Sequence, residues 1–439
     1  MKKFVKDKYL RKIKIENLLK NYSRYLYLNL LFILFFALGI YFAYSKFFVS
    51  KEEVVIKTTV GNFIQGDVII GAYIDNEYSS TIPGKNDGYA VEKVVCDNEA
   101  TGEWDEDKWG LLTTNLTKRT KCNVYFKKVV SKVPDIIATV DTSGNCPSVN
   151  EDGSVSVTTI ETTNGYLCKA KDAYGDSYYY RGNVTNNYVL FADKYWRIVR
   201  INGDRTVRVI YDGTSAHANG ESSSDRQIGI SAFNGSHNSR IYVGYMYSNN
   251  TNNSGIKSNI DNWYKANLLD TSNEQFIVDN IFCNDRSLAG NDPGSTSSTT
   301  YYRWYNYPWQ SESYSKYNNI MKLVCTYQTN AFTVSDTTNG NGALMYPVGL
   351  LSMDELILAG GWNKANNSYY LYTGQIWWTS SPNRFENSLA SGCIVYNDGS
   401  AAYRNSVNGV YGVRPVLNLK AEVLKNGDGT MNNPYRLEN

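Results

Sequence analysis

The chain has 439 residues, with 44 Lys and Arg against 42 Asp and Glu and only two His. That length has room for two or three domains, each able to bury its own core. The near balance of charge excludes a strongly basic nucleic-acid binder, and the scarcity of His argues against zinc and triad chemistry. Thirty-seven Tyr and abundant Asn fit an AT-rich coding bias, so no single Tyr is read as a functional signal.

Residues 1–24 carry nine Lys or Arg against Asp7 and Glu16. The run from Tyr25 to Ser45 has no formal charge and is rich in Leu, Phe, Ile and Ala, which matches the ~20 residues a helix needs to cross the hydrocarbon core. By the positive-inside rule a basic cytoplasmic stub (1–24) is followed by a transmembrane signal anchor (25–48), flanked by Tyr25 and Tyr27 on one side and Tyr41 and Tyr44 on the other. The competing reading is a cleaved signal peptide ending at Ala43-Tyr44-Ser45. Either way the rest of the chain is expected outside the cell: a single-pass protein of the cell membrane, partnered with the bilayer through 25–48. The remaining residues hold 35 basic and 40 acidic side chains, so nucleic acid is not an expected partner.

Residues 52–135 alternate short apolar runs (Val54-Val55-Ile56, Val68-Ile69-Ile70, Asn123-Val124-Tyr125-Phe126) with Gly, Asn and Pro, the pattern of a small antiparallel β domain, read as a sandwich-like spacer. Trp104 and Trp109 fall between Cys96 and Cys122, where packing on a disulfide is one reading and plain core residues the favoured one. Residues 136–177 are rich in Ser, Thr, Gly and Asp, and predict a linking module with a turn at Asn150-Glu151-Asp152-Gly153 and a strand over Val155–Ile160. None of the seven Cys forms a Cys-x-x-Cys pair, which removes a zinc ribbon or thioredoxin-like site. The local pairings Cys96–Cys122, Cys146–Cys168 and Cys283–Cys325 are expected, with Cys393 left over as a buried small hydrophobe.

The third segment, 178–439, opens with strands at Tyr188–Phe191 and Tyr195–Ile201, then turns at Asn202-Gly203-Asp204 into Val207–Tyr211. Ser258, with Asp261 three residues on, predicts one helix start, and Ser352 with Glu355 a second capping box ended by Gly360-Gly361. Ile376, Trp377 and Trp378 begin as a buried strand, which Pro382 is expected to stop for want of an N–H. Cys393–Tyr396 and Ala401–Tyr403 flank the hairpin turn Asn397-Asp398-Gly399-Ser400.

Four motifs in this segment, Tyr195-Trp196-Arg197-Ile198, Tyr346-Pro347-Val348-Gly349-Leu350, the run Trp377-Trp378-Thr379-Ser380-Ser381-Pro382, and Gly412-Val413-Arg414-Pro415, together resemble the C-type-lectin-like domains of diversity-generating-retroelement variable proteins and of uncharacterised membrane-anchored surface proteins of low-GC Gram-positive bacteria. The fold class this implies is a single transmembrane helix, an extracellular β-sandwich-like spacer and a C-terminal α+β C-type-lectin-like domain. The implied function is ligand binding, as a cell-surface receptor or adhesin, with an extracellular protein or glycan as partner. In those variable proteins adenine-directed mutation of Asn codons yields Asn, Tyr, Ser, Asp, Arg and Phe. Asn383, Arg384, Phe385, Asn387, Tyr396, Asn397, Asp398, Tyr403, Arg404 and Asn405 match that output and are the expected ligand-binding residues, against the plainer reading that they are solvated loop residues.

No catalytic constellation, metal site or cofactor is expected. His217 and His237 sit in Ser/Asn/Gly loops without ligand spacing, and there is no Walker loop, dinucleotide fingerprint or EF-hand ladder. Formylglycine-generating enzymes resemble the same fold class, but their copper activity needs a cysteine pair where this chain has Cys393 alone. The Glu-Pro-Asn and Trp-Asn-Asp signatures of calcium-dependent sugar sites are absent. The alternatives are an extracellular carbohydrate-active enzyme, with two carboxylates facing in a cleft, and an architectural envelope protein with an apolar self-complementary surface.

Overall fold

A computed structural model describes residues 68–437 except 86, 106–107, 115–118, 160–162, 245–253, 290–298, 305–318 and 402. The stub 1–24 and the apolar run 25–48 lie outside the described residues. No described helix is long and apolar enough to cross a membrane, and the longest, Gly255–Asn267, has 13 residues. Among the described residues the expected plan of a spanning helix, a sandwich and an α+β domain is corrected to a mostly β architecture with few short helices, none of which supports a single-pass membrane location. The described residues divide into two compact units, one of 68–83 with 91–126, the other of 84–90 with 127–437.

The first unit is built on β1 (Val68–Ile74), β2 (Glu77–Ser79), β3 (Tyr89–Cys96), β4 (Thr101–Asp105), β5 (Gly110–Thr114) and β6 (Thr120–Lys128). It is not the antiparallel sandwich expected from the alternation. Strands β1 and β6 pair in parallel from Val68↔Thr120 to Ile74↔Phe126, in a sheet of order β2-β1-β6-β3. The intervening stretch is long enough for the crossover a parallel pair requires. One face buries Ala72, Cys122, Val124 and Phe126. The hairpin β4–β5 brings Trp104 and Trp109 to within 5.4 and 6.1 Å of the Phe126 ring, and Cys96 is bonded to Cys122.

The second unit continues with β7 (Ser148–Val149), β8 (Val155–Ser156), β9 (Gly165–Asp172), β10 (Gly175–Gly182), β11 (Tyr188–Phe191), β12 (Lys194–Ile201), β13 (Val207–Gly213), β14 (Ile230–Ala232), β15 (Phe282–Cys283), β16 (Thr299–Tyr301), β17 (Ile320–Met321), β18 (Ala331–Phe332), β19 (Trp377–Glu386), β20 (Leu389–Val395), β21 (Tyr403–Ser406), β22 (Val410–Gly412) and β23 (Val416–Leu419). Among the described residues these form two larger sheets. In one the order is β23-β13-β12-β10-β9 with β11 on β12, in the other β14-β22-β19-β20-β21 with β16 on β19. The stretch expected as a linking module, 136–177, thus gives β9 and the first residues of β10 to the first of these sheets.

Both faces of β12 are covered, so its apolar positions run nearly without interruption and its two arginines must find partners inside. The disulfides Cys146–Cys168 and Cys283–Cys325 form as expected, and Cys393 is free and buried. The first predicted helix starts earlier than expected. Ser254, not Ser258, is its N-cap, accepting from the Lys257 amide at 3.3 Å. The second helix, Met353–Leu358, carries the expected Ser352/Glu355 capping box and ends at Gly360, whose φ of 116° suits only glycine.

Candidate functional site

The expected contact residues fall on β19, β20, β21 and their turns. Strand β19 does not stop at Pro382. It runs on to Glu386, with register shifts on either side of the proline: Pro382 lies opposite Gly392 and Arg384 opposite Ser391. Two residues therefore face one, and the extra residue, Asn383, is turned inward. Its Nδ2 donates to the Trp304 carbonyl at 2.9 Å. A bulge beside a residue without an N–H re-aims the side chains that follow it. Asn383 and Phe385 are buried, which removes both from the predicted contact set.

Arg384 and Glu386 share the opposite face of β19. Arg384 Nη1 lies 2.6 Å from Glu386 Oε2, and Tyr301 on the adjoining β16, in register with Arg384, donates its hydroxyl to Glu386 Oε1 at 2.5 Å. The guanidinium is thus oriented by a carboxylate that is itself held. Across β20 the register runs Arg384↔Ser391↔Ser406 and Cys393↔Arg404; Ser391 and Cys393 between them are buried, and Arg404 on β21 is exposed. Asn405, one residue on, alternates to the other face and donates to the Tyr411 hydroxyl at 2.5 Å. Tyr403 is paired with Ile394 in the ladder.

The remaining residues are at the turns. Asn387 and Ser388 have φ of 52° and 59°, the paired positive values of a tight hairpin, and Asn387 is exposed. Tyr396 and Asn397 are exposed at the β20–β21 turn. Asp398 shapes that turn, accepting from the Ser400 amide at 2.9 Å and from its hydroxyl. The structure thus pairs Arg384 with Glu386, leaves Arg404 exposed on β21 and Asn387, Tyr396 and Asn397 at strand ends, and gives Asn383, Phe385, Asp398 and Asn405 structural bonds or burial.

The four motifs behind the sequence resemblance are scaffold. Asp212 accepts from Arg226 Nε at 2.8 Å and from Arg414 Nη2 at 2.9 Å, and Arg197 Nη1 lies 3.9 Å away, all fully buried. Arg414 is also stacked 5.0 Å over the Trp377 ring, and the amides and carbonyls of Gly349 and Val416 bond reciprocally. Ser380 and Ser381 bond to the Cys283 carbonyl and the Met353 amide. These hydroxyls satisfy backbone groups in the core rather than meeting solvent.

His217, set aside on spacing, proves highly ordered. Its Nδ1 lies 2.7 Å from Glu221 Oε1 and its Nε2 2.9 Å from Asp225 Oδ2. Burial would raise the Asp225 carboxyl, but bonds from His217, Thr214 and Ser215 outweigh it and hold the group down to about 2. Glu221 is likewise held below the usual carboxylate range, first by His217. The two carboxylates sit on opposite ring nitrogens and do not converge on one point. Among the described residues no three His, Cys, Asp or Glu are placed to hold a metal ion. A His followed by acids at the fourth and eighth positions is the signal for this clamp, but only the loop's closure turns the spacing into contact.

This mostly β architecture has a family counterpart in part of its length. Residues 245–421, which include β19–β22, are similar to the family described as Domain of unknown function (DUF6273). No curated protein and no solved structure matches the chain.

Proposed function

We propose that the second unit is a ligand-recognition module, and that its contact surface is built from Arg384 and Glu386 on β19 and Arg404 on β21, with Tyr396 and Asn397 at the strand ends. The observation that carries this reading is the Tyr301–Glu386–Arg384 chain, which fixes a guanidinium on a strand whose flanking residues are core. A preoriented planar donor on a rigid element loses little freedom on binding.

The test is a glycan and protein array probed with the full chain and with Arg384→Ala. A ligand whose binding falls by about tenfold or more in the variant, with an unchanged urea midpoint, supports the reading. A ligand bound equally by both places recognition elsewhere. Diversification of this face, implied by the resemblance to retroelement variable proteins, is a separate proposal. It requires a near-copy of the Gln375–Lys420 coding segment beside the gene, differing mainly at adenines.

A further inference from the structure

The first unit has a second, independent surface. Its sheet has one face buried by the β4–β5 hairpin, and the register decides what stands on the other. The pairs Ile69↔Lys121, Gly71↔Asn123 and Tyr73↔Tyr125 put these six side-chain positions on one face, and Tyr73↔Tyr78 adds the edge strand β2. Lys93 joins from β3, its Nζ 4.7 Å over the Tyr125 ring, with Val95 two residues on. Tyr125 stacks on Tyr73 (4.9 Å, 20°), and Tyr73 meets Tyr78 edge-on (5.8 Å, 77°). A row of three tyrosines capped by a lysine therefore crosses four strands.

This face is open and partly apolar: Tyr78 is 59% exposed, Val95 48% and Ile69 43%. Such a contiguous patch on a sheet marks an interaction surface. Lysines outnumber carboxylates on it. Lys93 and Lys121 are exposed on it with Asp97, which accepts from the Lys121 amide at 2.7 Å, whereas Glu77 and Glu92 alternate to the opposite side of their strands. A second copy of the same face would double that excess of positive charge, so self-association is disfavoured. Sugars stack on open ring faces, but the faces of Tyr73 and Tyr125 are turned to each other, and Lys93 covers the outer face of Tyr125. Ile69 and Val95 offer aliphatic surface that suits apolar side chains better than hydroxyls.

We propose that this face binds an acidic peptide segment of a partner protein, with aliphatic side chains seated on Ile69, Val95 and the tyrosine row and carboxylates meeting Lys93 and Lys121. Tyr and Asn supply rigid contact area and adaptable hydrogen bonds, as they do in paratopes. Gly71 is part of the fit. A Cβ there would stand 2.6 Å from Asn123 Oδ1, so any larger residue displaces that amide from the middle of the face.

The experiment is fluorescence anisotropy of a labelled peptide alternating Glu and Leu, titrated with the full chain. Lys93→Glu, Lys121→Glu and Tyr78→Ala are each expected to weaken binding by about tenfold, with unchanged urea midpoints, and an alternating Lys and Leu peptide to bind at least about tenfold more weakly than the acidic one. The proposal is overturned if the acidic peptide does not bind, if the three variants bind it as the parent does, or if polygalacturonate binds to this face and the peptide does not.

Discussion

Asp212 shows what a single buried carboxylate can organise. Three guanidiniums surround it, and their remaining N–H groups are spent on carbonyls: Arg226 on Glu221 and Tyr370, Arg414 on Tyr211 and Leu371, Arg197 on Val184. Burial lowers Arg414 to about 10, with Asp212 pulling the other way, so the group stays charged at neutral pH. The Asp225 carboxylate acts nearer the surface. Its folded value, held down to about 2, lies below its unfolded one, so its stabilisation is complete above the unfolded value and is lost as pH falls toward 2. In urea melts, Asp225→Asn should lower stability by about 1–2 kcal/mol near neutral pH, and the gap from the parent should close between about pH 4 and pH 2. A gap that stays constant over that range would show that the carboxylate's charge contributes nothing.

At the scale of elements, short helices depend on their ends. The helix Met353–Leu358 is too short to persist by propensity, and its capping box is fully formed: the Glu355 amide donates to Ser352 Oγ, and the Ser352 amide donates to Glu355 Oε2 at 3.0 Å. Glu355 has a second task, since Arg208 Nε lies 2.5 Å and Arg200 Nε 3.3 Å from its Oε1. Ser352→Ala removes one half of the box and leaves the ion pairs, so a loss of about 1 kcal/mol is expected in chemical denaturation. A loss several times larger would mean that Ser352 also positions Glu355 for the arginines. Strand β19 makes the complementary point. Pro382 does not end it, because the ladder absorbs the missing donor as a bulge, and that bulge decides which of Asn383 and Arg384 faces solvent.

For the whole molecule, each disulfide ties together segments near in sequence within one unit. Cys146–Cys168 closes a separation of 22 residues and fastens the segment before β7 to β9, whose Cys168 is wholly buried. Replacing both cysteines by alanine should lower stability by about 3 kcal/mol, read as an equal shift in urea and thermal unfolding of the second unit. A change below about 0.5 kcal/mol would show that strand pairing alone already restrains this segment.

All three cysteine pairings, the second capping box, the strands at Tyr188–Phe191 and β12, and burial of Trp377 and Trp378 were legible in the residues, because each depends on spacing, cap chemistry or apolar runs that neighbouring positions impose. The parallel pairing of β1 with β6, the burial of Asn383 and Phe385 and the meeting of Arg197, Arg226 and Arg414 on Asp212 were not. A polar residue between anchors reads as loop whether it ends in solvent or in the core. Only long-range register, which the local pattern leaves free, assigns its side chain to a face.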